Sequence, residues 1–247
     1  MRPRLPCLLI TLLLTVTACA TQPAQLKAPP AAAAIPTGLH WYLTAAERSA
    51  VYEQVYRIAG DRVLQLAAGR APGTWAVIAD ADETLLDNAA YQLMLARNGQ
   101  KYSEASWQPW ARQRHSVAVP GSRAFVERVL AAGGLVVVVT NRAEAICEDT
   151  RANLRSEYLR VAAVLCAPQD PATGKFLSDK NPRFQAVQNG SAVSGLPALD
   201  VLAWVGDNIR DFPGRSQTNA EPVADFGEHL FVLPNPMYGS WESNPVP

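Results

Sequence analysis

The chain has 247 residues, with 22 basic and 22 acidic side chains and a formal net charge of zero. Balanced charge without a basic patch argues against a nucleic-acid polymer as partner, and the absence of G-x-G-x-x-G and G-x-x-x-x-G-K-[ST] removes the usual dinucleotide and P-loop sites. With 49% hydrophobic residues, about 210 residues beyond the N-terminal segment are enough for one α/β domain with a small insertion.

Residues 1–18 read as a signal peptide. Arg2 and Arg4 precede a mostly apolar run over 8–16 that is too short to span a bilayer. Val16-Thr17-Ala18-Cys19 resembles a bacterial lipobox, in which cleavage before Cys19 leaves a diacylglycerol on that cysteine. Ordinary secretory cleavage nearby, with Cys19 incidental, is the alternative. Lipid chains on Cys19 would anchor the protein to a membrane without spanning it. Ala20 after the cysteine, by resemblance to Gram-negative lipoproteins, implies the outer membrane, facing the periplasm or the surface. Residues 19–37 are Ala- and Pro-rich and read as a tether, leaving 38–247 for the folded domain.

Thr44-Ala45-Ala46-Glu47 reads as a capping box opening a helix whose apolar face uses Val51, Val55, Ile58 and Leu66. An apolar strand over 75–80 follows, and Asp80-Ala81-Asp82-Glu83-Thr84 sits at its end. Asp80 and Asp82 place two carboxylates on one tight turn. They repel, and both stay ionised only if a cation shares the site. Oxygen ligands suit a hard divalent ion such as Mg²⁺. One carboxylate can then attack phosphorus while the other handles the leaving-group proton. Alone the motif is weak, because acidic residues after strands are common in turns and caps.

Residues 88–119 form an insertion rich in aromatics, including Tyr91, Tyr102, Trp107 and Trp110. A helix over 122–132 ends at Gly133-Gly134. The run Val136-Val137-Val138-Val139 suits a strand buried on both faces, and it closes on Thr140 and Asn141, which can hydrogen-bond a phosphate. A helix over 144–158 and a strand over 162–166 come next. They place Cys147 and Cys166 toward the same sheet edge, where either a disulfide or two buried thiols would fit; the thiols are the expectation. Lys180 and Arg183 stand three apart at the start of a helix over 182–188, with Lys175 a nearby competitor. A strand over 201–206 closes on Gly206-Asp207, with Asp211 four residues on, and a last strand covers 229–233. His40, His115 and His229 have no metal-site spacing and read as surface or satisfied core. Strand–helix alternation predicts a parallel sheet with helices on both faces. The polar motifs fall at the carboxyl ends of the strands, where such sheets bind ligands.

Asp80-x-Asp82-x-Thr84, Thr140, Lys180 and Gly206-Asp207 with Asp211 resemble, in order and spacing, the four motifs of the haloacid-dehalogenase-like (HAD-like) phosphatase superfamily. Asp82-Glu83-Thr84-Leu85-Leu86-Asp87-Asn88, Val139-Thr140-Asn141-Arg142, Gly206-Asp207-Asn208-Ile209-Arg210-Asp211-Phe212 and Leu233-Pro234-Asn235-Pro236-Met237-Tyr238-Gly239 resemble the bacterial class C, or lipoprotein, acid phosphatases and 5′-nucleotidases. The resemblance implies a HAD-like Rossmannoid sheet with a small helical cap, and Mg²⁺-dependent hydrolysis of small phosphomonoesters through an aspartyl-phosphate. It casts Asp80 as nucleophile and Asp82 as acid and base. Asp80, the Asp82 backbone carbonyl and Asp207 become metal ligands. Thr140, Asn141 and Lys180 hold phosphate, with Asp211 and Arg183 in support. Nucleoside monophosphates, including nicotinamide mononucleotide, are the implied substrates, with Tyr102, Trp107 and Tyr238 around the base. The same aromatics also suit an aryl phosphate or a plain cap core. Asp87 reads as a structural residue binding backbone where the cap begins. A non-catalytic surface lipoprotein that binds a ligand, or another HAD phosphotransferase, is the alternative, and a homodimer is left open.

Overall fold

A computed structural model describes residues 34–221 and 223–246. The signal peptide, Cys19 and most of the tether lie outside the described residues. Among the described residues no helix is long and apolar enough to cross a membrane.

Five parallel strands form the centre: β1 (Trp75–Ala79), β4 (Leu135–Ala143), β5 (Ala163–Ala167), β6 (Asp200–Gly206) and β7 (Leu230–Val232), in the order β5-β4-β1-β6-β7. Alternate residues of β1, β4 and β5 enter two separate cores, as the two-residue period of a strand requires, and β6 breaks the alternation where its register with β1 shifts. Val77, Ala79, Val136 and Val138 pack on one face with α2 (Ala46–Leu66), α5 (Ser122–Ala131) and α6 (Cys147–Ser156). Ala76, Ile78, Val137 and Val139 pack on the other with Phe184 and Val187 of α7 (Asn181–Asn189). The chain leaves β1 toward β4 and β5, then returns to β6 on the opposite side of β1. That reversal opens a crevice at the carboxyl ends of the central strands.

The insertion after β1 rises on a two-stranded antiparallel stem, β2 (Leu86–Asp87) paired with β3 (Val117–Ala118). Between them lie α3 (Ala89–Arg97) and α4 (Glu104–Ala111). Tyr91, Leu95, Trp107 and Trp110 of this cap pack with Ala143 and Ile146 of the main body. Asp87 does tie backbone at the cap's start: it accepts from the Ala89 amide at 2.8 Å and pairs with Arg48 at 2.6 Å.

Three local expectations change. The capping box does not form. A first helix, α1 (Thr37–Thr44), runs up to Thr44, whose hydroxyl donates to the His40 carbonyl at 2.7 Å. That hydroxyl is therefore turned back into its own helix, and α2 starts at Ala46 with no side-chain cap. The buried face of α2 is also rotated from the expected one: Tyr52, Tyr56, Ala59 and Val63 are buried, whereas Ile58 is exposed. Aliphatic periodicity overlooked this face because two of its residues are tyrosines whose rings pack while their hydroxyls find carbonyls. Finally, Cys147 and Cys166 form a disulfide, with Cα atoms 5.9 Å apart, instead of two buried thiols. The start of α6 and the end of β5 lie side by side, which brings the two Sγ atoms within bonding reach. Closing a loop of 19 residues in this way is worth about 3 kcal/mol against the unfolded chain.

Candidate active site

The loop after β1 carries the first motif. Asp80 still belongs to the sheet ladder, its amide donating to the Val205 carbonyl at 3.0 Å. The chain then turns sharply: the Leu85 and Leu86 amides both donate to the Ala81 carbonyl, at 2.9 and 2.8 Å, and Glu83 sits at φ +52°. A left-handed glutamate is uncommon and needs support from its surroundings. Helix α2 supplies it. The Tyr52 hydroxyl donates to the Glu83 carbonyl at 2.6 Å, and that of Tyr56 donates to the Thr84 carbonyl. The Glu83 side chain is buried and accepts from the Asn88 amide at 2.7 Å. Burial and the neighbouring Asp82 and Asp207 hold its carboxyl well above the usual range.

Asp80, Asp207 and Asp211 converge, with one carboxylate oxygen of each lying within 4.8 Å of the others. Lys180, the residue preceding α7, reaches between two of them: its ammonium donates to Asp80 Oδ1 at 2.5 Å and to Asp211 Oδ1 at 2.7 Å. Lys175, the competitor, is exposed. Asp211 Oδ2 accepts from the Asn208 amide at 2.9 Å. Asp207 is oriented by Thr84 Oγ1 at 3.2 Å and Asn235 Nδ2 at 2.9 Å. A Cβ at Gly206 would lie 2.3 Å from the Asp211 Cβ, so only glycine lets the loop after β6 fold this tightly.

The donor set fits a divalent cation. Burial pushes the Asp80 carboxyl up to about 7 despite Lys180, and burial with Asp211 and Asp80 pushes Asp207 well above the carboxylate range. For Lys180, burial favours the neutral amine, yet Asp211 and Asp80 outweigh it and hold the ammonium above its ordinary value. Three carboxylates around one ammonium leave an excess of negative charge. An oxygen-seeking dication on Asp80 and Asp207 neutralises it, and soft or nitrogen-seeking metals find no ligands of their own here.

Asp82 points to a different partner. Arg142, whose side chain is 0% exposed, donates from Nη2 at 2.7 Å and Nε at 3.0 Å to Asp82 Oδ1, and from Nε at 3.3 Å to Oδ2. Asn88 Nδ2 adds a further bond to Oδ1 at 2.8 Å. Within β4, Thr140 is fully buried and its hydroxyl accepts from the Arg142 amide at 3.2 Å. Arg183 donates to the Thr140 carbonyl at 2.5 Å and to Asn141 Oδ1 at 2.7 Å. With its amide oxygen engaged by Arg183, Asn141 has its NH₂ left as the donor for a ligand.

A cleft of about 770 Å³ opens above these groups. Asp80, Asp82, Asn141, Lys180, Asp207 and Asp211 line its floor, with Tyr102, Trp107 and Tyr238 on its walls. Thr140 and Arg183 are not among its lining residues and act from behind it. Tyr102 is 56% exposed, whereas Trp107 is 8% exposed and packs on Tyr91 with ring centroids 5.1 Å apart. Pro36 and Leu39, beside and within α1, complete the rim, and Gly38 lets α1 approach the 234–238 loop: a Cβ there would lie 1.9 Å from the Pro236 carbonyl oxygen.

Sequence reading assigned no role to Arg142, Asn88, Asn235 or the two tyrosines of α2. Arg142 was visible, directly after Thr140-Asn141, but nothing in spacing says that a residue of β4 turns toward Asp82. The tyrosines carry no local signal, since their partners are backbone carbonyls about 30 positions away.

Residues 9–241 match the family model described as HAD superfamily, subfamily IIIB (Acid phosphatase). Among solved structures, the class C acid phosphatase from Bacillus anthracis is 30% identical, with 83% of this chain and 85% of that one covered and a TM-score of 0.70. A structure of the class C acid phosphatase from Bacillus anthracis with tungstate bound is 28% identical over the same shares, also with a TM-score of 0.70. With its parallel sheet, strand-end carboxylates and cap, the chain belongs to the subfamily IIIB acid phosphatases of the HAD superfamily and is a phosphomonoesterase.

Proposed function

We propose that the protein is a Mg²⁺-dependent acid phosphatase that hydrolyses 5′-nucleotides or nicotinamide mononucleotide through an aspartyl-phosphate on Asp80. The observation that carries this reading is the convergence of Asp80, Asp207 and Asp211 around Lys180 on the floor of the cleft. Tungstate, bound in one Bacillus anthracis structure, is a tetrahedral oxyanion like phosphate, which supports an oxyanion site on this fold.

Asp80 forms the new oxygen–phosphorus bond as the ester oxygen departs. Asp82 gives that oxygen its proton, then takes one from the water that attacks the phospho-aspartate, and the Asp80–phosphorus bond breaks to release phosphate. Lys180 and Asn141 hold the phosphoryl oxygens, whose charge redistributes in the transition state. Thr140 and Arg183 hold the end of β4 that presents Asn141. Asp80, the Asp82 carbonyl and Asp207 would hold Mg²⁺, which supplies charge neutralisation to nucleophile and phosphoryl group; Asp211 keeps Lys180 in place. Tyr102 and Tyr238 flank the base, and Trp107 backs Tyr102 from the cap core. Cys19 carries the lipid that anchors the domain to the outer membrane through the tether over 19–37; this part rests on the N-terminal sequence alone.

Asp80→Asn removes the nucleophile and is expected to lower kcat at least ~10³-fold; retention of the wild-type rate overturns the covalent route. Chelation is expected to abolish turnover and Mg²⁺ to restore it, with Asp207→Ala raising the Mg²⁺ concentration needed for half-activity. Undiminished hydrolysis after thorough chelation counts against the metal. Stacking on one ring is worth about 1–3 kcal/mol, so Tyr238→Ala is expected to lower kcat/KM for nucleotides about 5- to 100-fold and barely affect a small alkyl phosphate. Equal losses on both substrates would assign Tyr238 to packing. Cys19→Ser is expected to move the protein out of the membrane fraction with its phosphatase activity intact; full retention in that fraction removes the lipid anchor from the reading.

A further inference from the structure

We propose that Arg142 is the positioning residue that sets Asp82 for proton transfer to the leaving group and couples that setting to the cap. The inference rests on the role given above to Asp82. Asp82 uses its two oxygens unequally. Oδ1 accepts three bonds, from Asn88 Nδ2 at 2.8 Å and from Arg142 Nη2 and Nε at 2.7 and 3.0 Å. Oδ2 has a single long contact, from Arg142 Nε at 3.3 Å, among the described residues. An oxygen saturated with three donors is a hinge point, while its partner is left to carry and release a proton. The geometry therefore assigns Oδ1 to anchoring and Oδ2 to the chemistry. A single-point cation could not do this. The planar guanidinium fixes the plane of the carboxylate as well as its position, which an ammonium cannot.

The guanidinium is itself held by the core, through Nη1 at 3.5 Å from Thr150 Oγ1 in α6, and by the cap. Its centre lies 5.3 Å from the ring centroid of Trp107 in α4, and Nη2 lies 3.3 Å from Asn88 Oδ1. Asn88 Oδ1 also accepts from Ser116 Oγ at 2.6 Å. Asn88 and Ser116 stand at the two ends of the cap insertion, beside the stem formed by β2 and β3. Any shift of the cap thus reaches Asp82 through Asn88 and Arg142, so the group that protonates the ester oxygen and the walls that contact the leaving group move as one unit.

The test is leaving-group dependence, measured as kcat/KM on the purified full chain. A p-nitrophenolate leaves without needing a proton, whereas an alkoxide such as a nucleoside 5′-oxygen does not. Arg142→Gln is expected to raise the ratio of kcat/KM for p-nitrophenyl phosphate to that for an alkyl phosphate at least about 10-fold, part of the roughly 10²–10⁴-fold that a general acid contributes. Arg142→Lys, which keeps the charge but not the fork, is expected to raise it by a smaller factor. Asp82→Asn shows the largest rise, and Asp82→Asn combined with Arg142→Gln shows no further one, because a residue acting only through Asp82 has nothing left to position. Melting temperatures of all variants identify any that fail to fold; if Arg142→Gln does, the comparison of Arg142→Lys with and without Asp82→Asn decides. A uniform loss on both substrates with raised KM overturns the inference and makes Arg142 a phosphate ligand. An Asp82→Asn variant with no change in the ratio overturns the assignment of Asp82 itself, and the role of Arg142 with it.

Discussion

Five carboxylates, Asp80, Asp82, Glu83, Asp207 and Asp211, meet at the carboxyl ends of β1 and β6, three of them buried and two half-buried. Crowding like charges away from water is costly, and an uncompensated buried charge typically costs about 3–5 kcal/mol. Two buried cations answer most of it. Lys180 joins Asp80 to Asp211, and Arg142 holds Asp82. Neutral donors orient the others: the Asn88 amide holds Glu83, and Thr84 with Asn235 holds Asp207. Much of the surrounding architecture follows from keeping these donors in place.

That dependence explains features remote from phosphate chemistry. Helix α2 sets two tyrosines among the aliphatic residues of its buried face, and these tyrosines also pin the strained loop at Glu83 and Thr84. Gly206 is bare because Asp211 folds back against it to meet Lys180. The disulfide fastens the start of α6 to the end of β5, beside the strand that ends in Thr140, Asn141 and Arg142. Rigid supports of this kind matter because groups that stabilise a phosphoryl transition state act only when held in position beforehand.

The cap is joined to this charge cluster rather than merely placed over it. Its stem begins two residues after Thr84, Asn88 directly after β2 bonds both Asp82 and Glu83, and its Trp107 ring faces the Arg142 guanidinium. Substrate recognition at the cleft walls and proton transfer at its floor therefore share one hydrogen-bonded network. Helix α1 extends that enclosure by packing against α3 and against the loop that carries Tyr238.

Most of the sheet was legible in the sequence. Continuous apolar runs such as Val136–Val139 mark strands buried on both faces, and the residues ending those runs are polar where a crevice binds ligands. Asp80, Thr140 and Asp207 were readable for the same reason, each lying at the end of an apolar strand run, whereas Lys180, ahead of a helix, had Lys175 as a competitor. What only the tertiary structure decided is pairing. Which cation serves which carboxylate, whether Cys147 and Cys166 bond, and which face of α2 is buried all depend on contacts between residues far apart in the chain. Local periodicity records the direction in which a side chain leaves the backbone. It carries no record of the partner waiting there, and Arg142 meets Asp82, 60 positions earlier, only because the chain between them folds to let it.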